Sequence, residues 1–132
     1  MTAVSKVARG EVRNKKYMGR ALLFKGIRFG NITPTDVDGL IEYKNKAWIL
    51  IEAKYQDAEL PFGQRLAIER AIDDWSKHKP SIGLVCSFEN TEGDIIVADC
   101  NVTEFRMKGT WRTPKKPITV LSAVETFLET VA

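Results

Sequence analysis

Between Trp48 and Lys54 the chain reads Trp-Ile-Leu-Ile-Glu-Ala-Lys, an almost unbroken apolar run that ends in two charges. A short aliphatic run without polar alternation marks a strand covered on both faces, so a layer of structure must lie on each side of it. The preceding stretch, Asp38-Gly39-Leu40-Ile41-Glu42-Tyr43, reads as a second strand. Lys44-Asn45-Lys46 between them is polar, and its Asn tolerates the left-handed conformation of a tight turn. Thr35 to Tyr55 is therefore a β-hairpin. With the turn centred on Asn45, Leu40 faces Leu50, Ile41 faces Ile49 and Asp38 faces Glu52. Opposed residues lie roughly 4.5–5.5 Å apart. The period-two alternation puts Lys54 on the face of Glu52 and Asp38.

Charges in such a strand are costly unless they are paired or bind a metal. Two readings follow. In one, Lys54 makes a structural ion pair with Glu52 or Asp38. In the other, the opposed carboxylates repel each other and a hard divalent cation such as Mg2+ relieves the repulsion. A lysine beside such an ion can stabilise a phosphate, orient a water or accept its proton. Asp36 shares the face of Asp38 in an extended chain, so either can supply the first carboxylate. Asp38 is preferred because it falls opposite Glu52, which leaves Asp36 to bind the lysine or a metal-bound water.

A chain of 132 residues is expected to form one domain, spanning 1–132, with its own core. No apolar run approaches the roughly 18 residues of a membrane span, and no signal-peptide core opens the sequence, so a cytoplasmic location is expected. Cys86 and Cys100 fall in strand-like segments and read as reduced core residues. The one histidine, His78, lies in a polar stretch near a helix end, which argues against a His-based triad or zinc site. The net charge of +3 is unevenly spread. Residues 1–28 hold eight Lys and Arg against Glu11, and residues 103–118 hold five against Glu104. The segment between holds seven against thirteen acids. Two basic arms around an acidic centre suit a chain that grips a polyanion, with Arg13, Lys15, Lys16, Arg20, Arg112, Lys115 and Lys116 as candidate phosphate contacts. Ordinary solvated surface charge gives the same pattern.

Residues 3–19 are basic and moderately helical in pattern, and 20–29 suit a first strand with a bend at Gly26. Pro61 marks a helix start. Over 62–78, Gln64, Ile68, Ala71, Ile72 and Trp75 recur at helical spacing, which places Gln64 on the sheet-facing stripe. There it serves either the site or simple capping and packing. Residues 81–88 read as a buried strand and 94–102 as another near the sheet edge. Residues 104–111 alternate, with Phe105, Met107 and Trp111 against Arg106, Lys108 and Arg112 across a break at Gly109. In this ribbon Trp111 either stacks on a base or packs on the core. A closing helix over 119–131 turns Val120, Leu121, Val124, Phe127, Leu128 and Val131 inward. The fold class is α/β, a central mixed sheet opened by the hairpin with helices on its faces.

Asp38, thirteen intervening residues, then Glu52-Ala53-Lys54 resemble the signature of the PD-(D/E)XK nuclease superfamily. That signature is an Asp at the start of one strand and Glu-x-Lys on the next. Pro34-Thr35-Asp36 before the first strand and a helix opening Pro61-Phe62-Gly63-Gln64 after the second extend the likeness to about residues 30–88. The resemblance implies a restriction-endonuclease-like αβββαβ core with C-terminal additions. It also implies hydrolysis of DNA phosphodiesters with Mg2+ or Mn2+. The metal would be held by Asp38, Glu52 and the backbone carbonyl of Ala53. Lys54 would orient or deprotonate the attacking water, and Gln64 would position that lysine or the substrate backbone. Many members begin with a helix carrying a further acid, a place that only Glu11 can fill here. The small size resembles archaeal and phage four-way-junction resolvases, which act as dimers in recombination and repair. The Gln-bearing helix resembles recombination exonucleases, although these carry a Tyr four residues on, where this chain has Ile68. Expected partners are DNA and either a second copy or a larger complex, with no membrane; a phage-encoded protein would act in the host cytoplasm. The other readings are a non-catalytic nucleic-acid-binding protein of this fold, and an unrelated α/β protein with a fortuitous ion-pair cluster.

Overall fold

The computed structural model describes residues 23–131. Glu11, Arg13, Lys15, Lys16, Arg20 and the helix expected over 3–19 lie outside the described residues. The chain divides into two units, one ending at Pro34 and one beginning at Thr35.

In the first unit the strand expected over 20–29 does not form between residues 23 and 29. Gly26 and Gly30 adopt left-handed backbone angles, with φ of 83° and 66°. The Ile27 N–H bonds back to the Phe24 carbonyl at 3.1 Å, and Phe29 and Ile32 bridge each other across a tight turn. The two glycines take the chain off an extended path despite its apolar sequence.

The second unit is built on a five-stranded mixed sheet. Its strands are β1 (Gly39–Tyr43), β2 (Ala47–Tyr55), β3 (Ser81–Phe88), β4 (Asn101–Met107) and β5 (Thr110–Arg112), in spatial order β1-β2-β3-β4-β5. β2 and β3 are parallel; the other neighbours are antiparallel. The hairpin has the expected register, Leu40 opposite Leu50 and Ile41 opposite Ile49. Its turn holds Lys44 and Asn45 at φ of 50° and 59°, the paired positive angles of the turn that matches strand twist.

Helix α1 (Phe62–Ser76) connects the parallel pair β2 and β3 and covers one face of the sheet. Its Ile68 and Ile72 pack with Leu50, Leu60 and Val85. Helix α2 (Val120–Glu129) covers the other, where Val120 and Phe127 join Ile49, Leu84, Cys86 and Val102. These two layers are what the uninterrupted run in β2 requires. Thr119 caps α2, its hydroxyl accepting the Ser122 N–H at 3.2 Å. Leu121, expected inward, is 51% exposed, because the buried stripe follows Val120, Val124, Phe127 and Val131 and leaves position 121 on its flank. The strand expected over 94–102 begins only at Asn101 and continues to Met107, since residues 97–99 coil into a short 3-10 turn.

Two bidentate ion pairs fasten α1 to β4. Arg106 donates to both Asp73 oxygens at 3.0 and 2.6 Å, and Arg65 to both Glu104 oxygens at 3.0 and 2.9 Å. Trp111 donates to Glu69 at 2.6 Å and lies beneath the Arg65 guanidinium, 4.2 Å from the ring centre. It is thus committed to packing and not free to stack on a base. Cys86 and Cys100 are buried free thiols, and burial pushes Cys86 up to about 12. Among the described residues, no helix is long and apolar enough to cross a membrane.

Gly83 on β3 lies directly under α1, where a β-carbon would come within 3.1 Å of Ile68 and 3.2 Å of Ile72. Both isoleucines are themselves buried. Gly83→Val is expected to lower the free energy of unfolding by about 2 kcal/mol in urea titrations, and a neutral result would contradict this packing.

Candidate active site

The site forms where β1 ends before β2 does. The N–H groups of Trp48 and Gln56 donate to the Pro80 and Phe88 carbonyls, so even-numbered residues of β2 turn their backbone toward β3. Odd-numbered residues turn theirs toward β1. The last rung of the hairpin is Gly39 opposite Ile51. Ala53, one rung further, has no strand across from it. The Asp38 carboxylate fills that gap by accepting the Ala53 N–H at 2.8 Å. Asp38 itself is exposed and stands just outside β1, so its side chain extends the ladder where the sequence places its backbone. An extended residue directs its N–H and C=O to the same side, so the Ala53 carbonyl opens toward the Asp38 carboxylate.

Glu52 lies on the α1 face with Leu50 and Lys54 and is only 2% exposed. Its Oε2 is 3.3 Å from the Lys54 ammonium; its Oε1 has no hydrogen-bond partner. Gln64, in the first turn of α1, is 7% exposed, and its Oε1 also lacks a partner. Among the described residues these two are the only buried side-chain polar atoms left unpaired. Each such orphan costs about 1–3 kcal/mol. Burial above all, and then the charge of Asp38, push the Glu52 carboxyl above the usual range, and Lys54 and Gln64 offset this only in part. The ion-pair reading thus accounts for one oxygen of Glu52 and leaves the other unexplained.

The oxygens of this cluster are hard ones: the Asp38 carboxylate, the Ala53 carbonyl and the unpaired Glu52 Oε1. That set fits Mg2+ or Mn2+. Among the described residues no three His, Cys, Asp or Glu side chains gather around one point. A cation here would therefore draw on two carboxylates, a carbonyl and several waters, a mix that suits Mg2+.

The structure brings Asp38, Glu52, Ala53, Lys54 and Gln64 together. Asp36 is exposed, two residues ahead of Asp38. Arg112, Lys115 and Lys116 belong to the opposite face. Arg112 pairs across from Phe105, which packs on the α2 side, and the two lysines border an apolar cavity of about 510 Å³ with Met107 and Phe127. Sequence reasoning missed Arg65, which follows Gln64 and pins the start of α1 to Glu104. The partners lie 39 residues apart, and nothing local announces the pairing. No family model, curated protein or solved structure matches the chain.

The raised Glu52 carboxyl favours its protonated form in the folded protein. Its stabilising contribution is complete below the ordinary glutamate range and is lost as pH rises through the raised value. In metal-free protein at pH 7, Glu52→Gln is therefore expected to increase stability by about 1 kcal/mol, with the gain fading toward pH 4. Thermal denaturation in EDTA at the two pH values tests this; an equal or lower melting temperature at pH 7 would contradict it.

Proposed function

We propose that this chain is a metal-dependent deoxyribonuclease of the PD-(D/E)XK type, with a restriction-endonuclease-like core. The observation that carries the reading is the buried Glu52, one oxygen held by Lys54 and the other unpaired, within reach of the charge of Asp38, whose carboxylate accepts the Ala53 N–H. Asp38, Glu52 and the Ala53 carbonyl would hold Mg2+ or Mn2+. When bound, the ion supplies Lewis acidity toward the phosphoryl oxygen and a bound water of lowered pKa. Asp38 is fixed for its role by the Ala53 N–H. Lys54 is fixed by Glu52, and from there it orients the attacking water and donates to the charge that develops on the phosphate. Gln64 closes the helix side of the site and positions Lys54 or the substrate backbone.

In this reading the substrate is a DNA structure more than a sequence, with a four-way junction foremost, and the working unit is a dimer or part of a larger complex. Such a protein would act in recombination or repair.

Cleavage of supercoiled plasmid, linear duplex, single strand and a synthetic four-way junction is to be measured in Mg2+, in Mn2+ and in EDTA. Activity is expected to require the metal, and Asp38→Asn and Lys54→Ala are each expected to reduce it by at least about 100-fold. Full activity in either variant would remove that residue from the site. Absence of cleavage on every substrate would remove the enzyme reading.

A further inference from the structure

The basic loop Pro114-Lys115-Lys116-Pro117 has no part in the Asp38–Glu52 cluster. It stands on the α2 face, over the apolar cavity of about 510 Å³. A helix is about 10 Å wide and a five-stranded sheet about 19 Å across, so α2 alone cannot close that face. The cavity floor is the buried Ile82, Leu84 and Val102, and Ala123 and Phe127 of α2 form one wall. Lys115, Lys116 and Pro117 are exposed, which places the mouth at the loop. Pro114 and Pro117 restrict the backbone on either side of the two lysines. Among the described residues neither lysine is ion-paired. A second cavity of about 500 Å³ shares Met107, Phe127 and Thr130 with the first and adds Lys77, His78, Lys79 and Lys108. Among the described residues no acidic side chain lines either cavity.

We propose that this cavity binds a free aliphatic carboxylate, its chain against Ile82, Leu84 and Phe127 and its head group on Lys115 and Lys116. The volume falls in the range of small-molecule sites, roughly 300–1,000 Å³, and such sites are mostly apolar with a few polar groups that fix orientation. An apolar cavity stays dry and takes apolar ligands. The lysines supply the one charged end, and their flexible stems let both ammonium groups reach the same carboxylate. The sign of the charge decides between occupants. A second copy of this chain offers the exposed Phe24, Ile27 and Phe29, but Lys25 and Arg28 lie among them and repel the basic mouth. An uncharged chain would fill the cavity and leave both lysines unanswered. A carboxylate with an aliphatic tail satisfies the cavity and the mouth together. Glu52 lies on the α1 face, so this site is independent of the nuclease reading.

The test titrates dodecanoate, kept below micelle-forming concentrations, into the full chain in EDTA while the backbone amides of Lys115, Lys116 and Ala123 are followed by NMR. Saturable shifts are expected at all three. Dodecanol, with the same tail and no charge, should bind about tenfold more weakly. The double variant Lys115→Gln, Lys116→Gln should weaken dodecanoate about tenfold and leave dodecanol unchanged. Ala123→Phe fills the cavity and should abolish binding of both probes without lowering the melting temperature. Should that variant unfold, the lysine pair, exposed and outside the core, still decides the matter. No saturable shift with dodecanoate, or equal affinity for the two probes, would overturn the site. Shifts that grow with protein concentration alone, with dodecanoate adding nothing, would overturn it in favour of a second copy of the chain.

Discussion

Glu52 is a carboxylate in a hydrophobic layer, with one oxygen answered by Lys54 and the other without a hydrogen-bond partner, Gln64 easing its burial only in part. It lies on β2, the strand flanked by an antiparallel neighbour on one side and a parallel one on the other. A charge buried there disfavours the folded state, and the structure around it supplies only partial compensation. Much else depends on that position. β2 must outrun β1 for the Asp38 carboxylate to reach the Ala53 N–H, and α1 must start beside the end of β2 for Gln64 to lie over Glu52. A protein selected only for stability would place a leucine at position 52. An acid there, beside a second acid and a lysine, is what the proposed metal site requires.

The apparatus that holds α1 in place is polar as well as apolar. Ile68 and Ile72 supply the packing, and Gly83 lets the helix settle close to β3. The Arg65–Glu104 and Arg106–Asp73 pairs, with Trp111 clasped between Arg65 and Glu69, fix its sideways position against β4 and β5. Planar guanidinium forks on carboxylates are directional, so they set the helix in one orientation where an oily contact alone would tolerate sliding. The first turn of α1, which carries Gln64, inherits that rigidity through Arg65.

The parts of this arrangement legible in the sequence are those governed by short-range periodicity. The hairpin register follows from the turn at Asn45 and alternation by two; the α1 stripe follows from spacing by three and four. Together they were enough to put Glu52, Lys54 and Gln64 on one face. What could not be read depends on distant partners or on backbone angles. Gly26 and Gly30 turn an apolar stretch that composition alone would make a strand. The Arg65 and Arg106 pairings span more than thirty residues. Arg112, Lys115 and Lys116 look like a continuation of the basic ribbon, yet the chain carries them to the α2 face, away from the site. Trp111, equally suited to a base or to a core, is settled by Glu69 and Arg65, neither of which is near it in sequence.

The unpaired oxygen of Glu52 is proposed as a metal ligand. Calorimetric titration of the full chain with Mn2+, repeated on Glu52→Gln, tests it without reference to any substrate. Saturable binding by the unsubstituted chain is expected, weakened at least about tenfold by a change that keeps the shape of residue 52 and removes its charge. Equal binding by the two proteins, or none by either, would contradict it and leave Asp38, Glu52 and Lys54 as a structural cluster of charges.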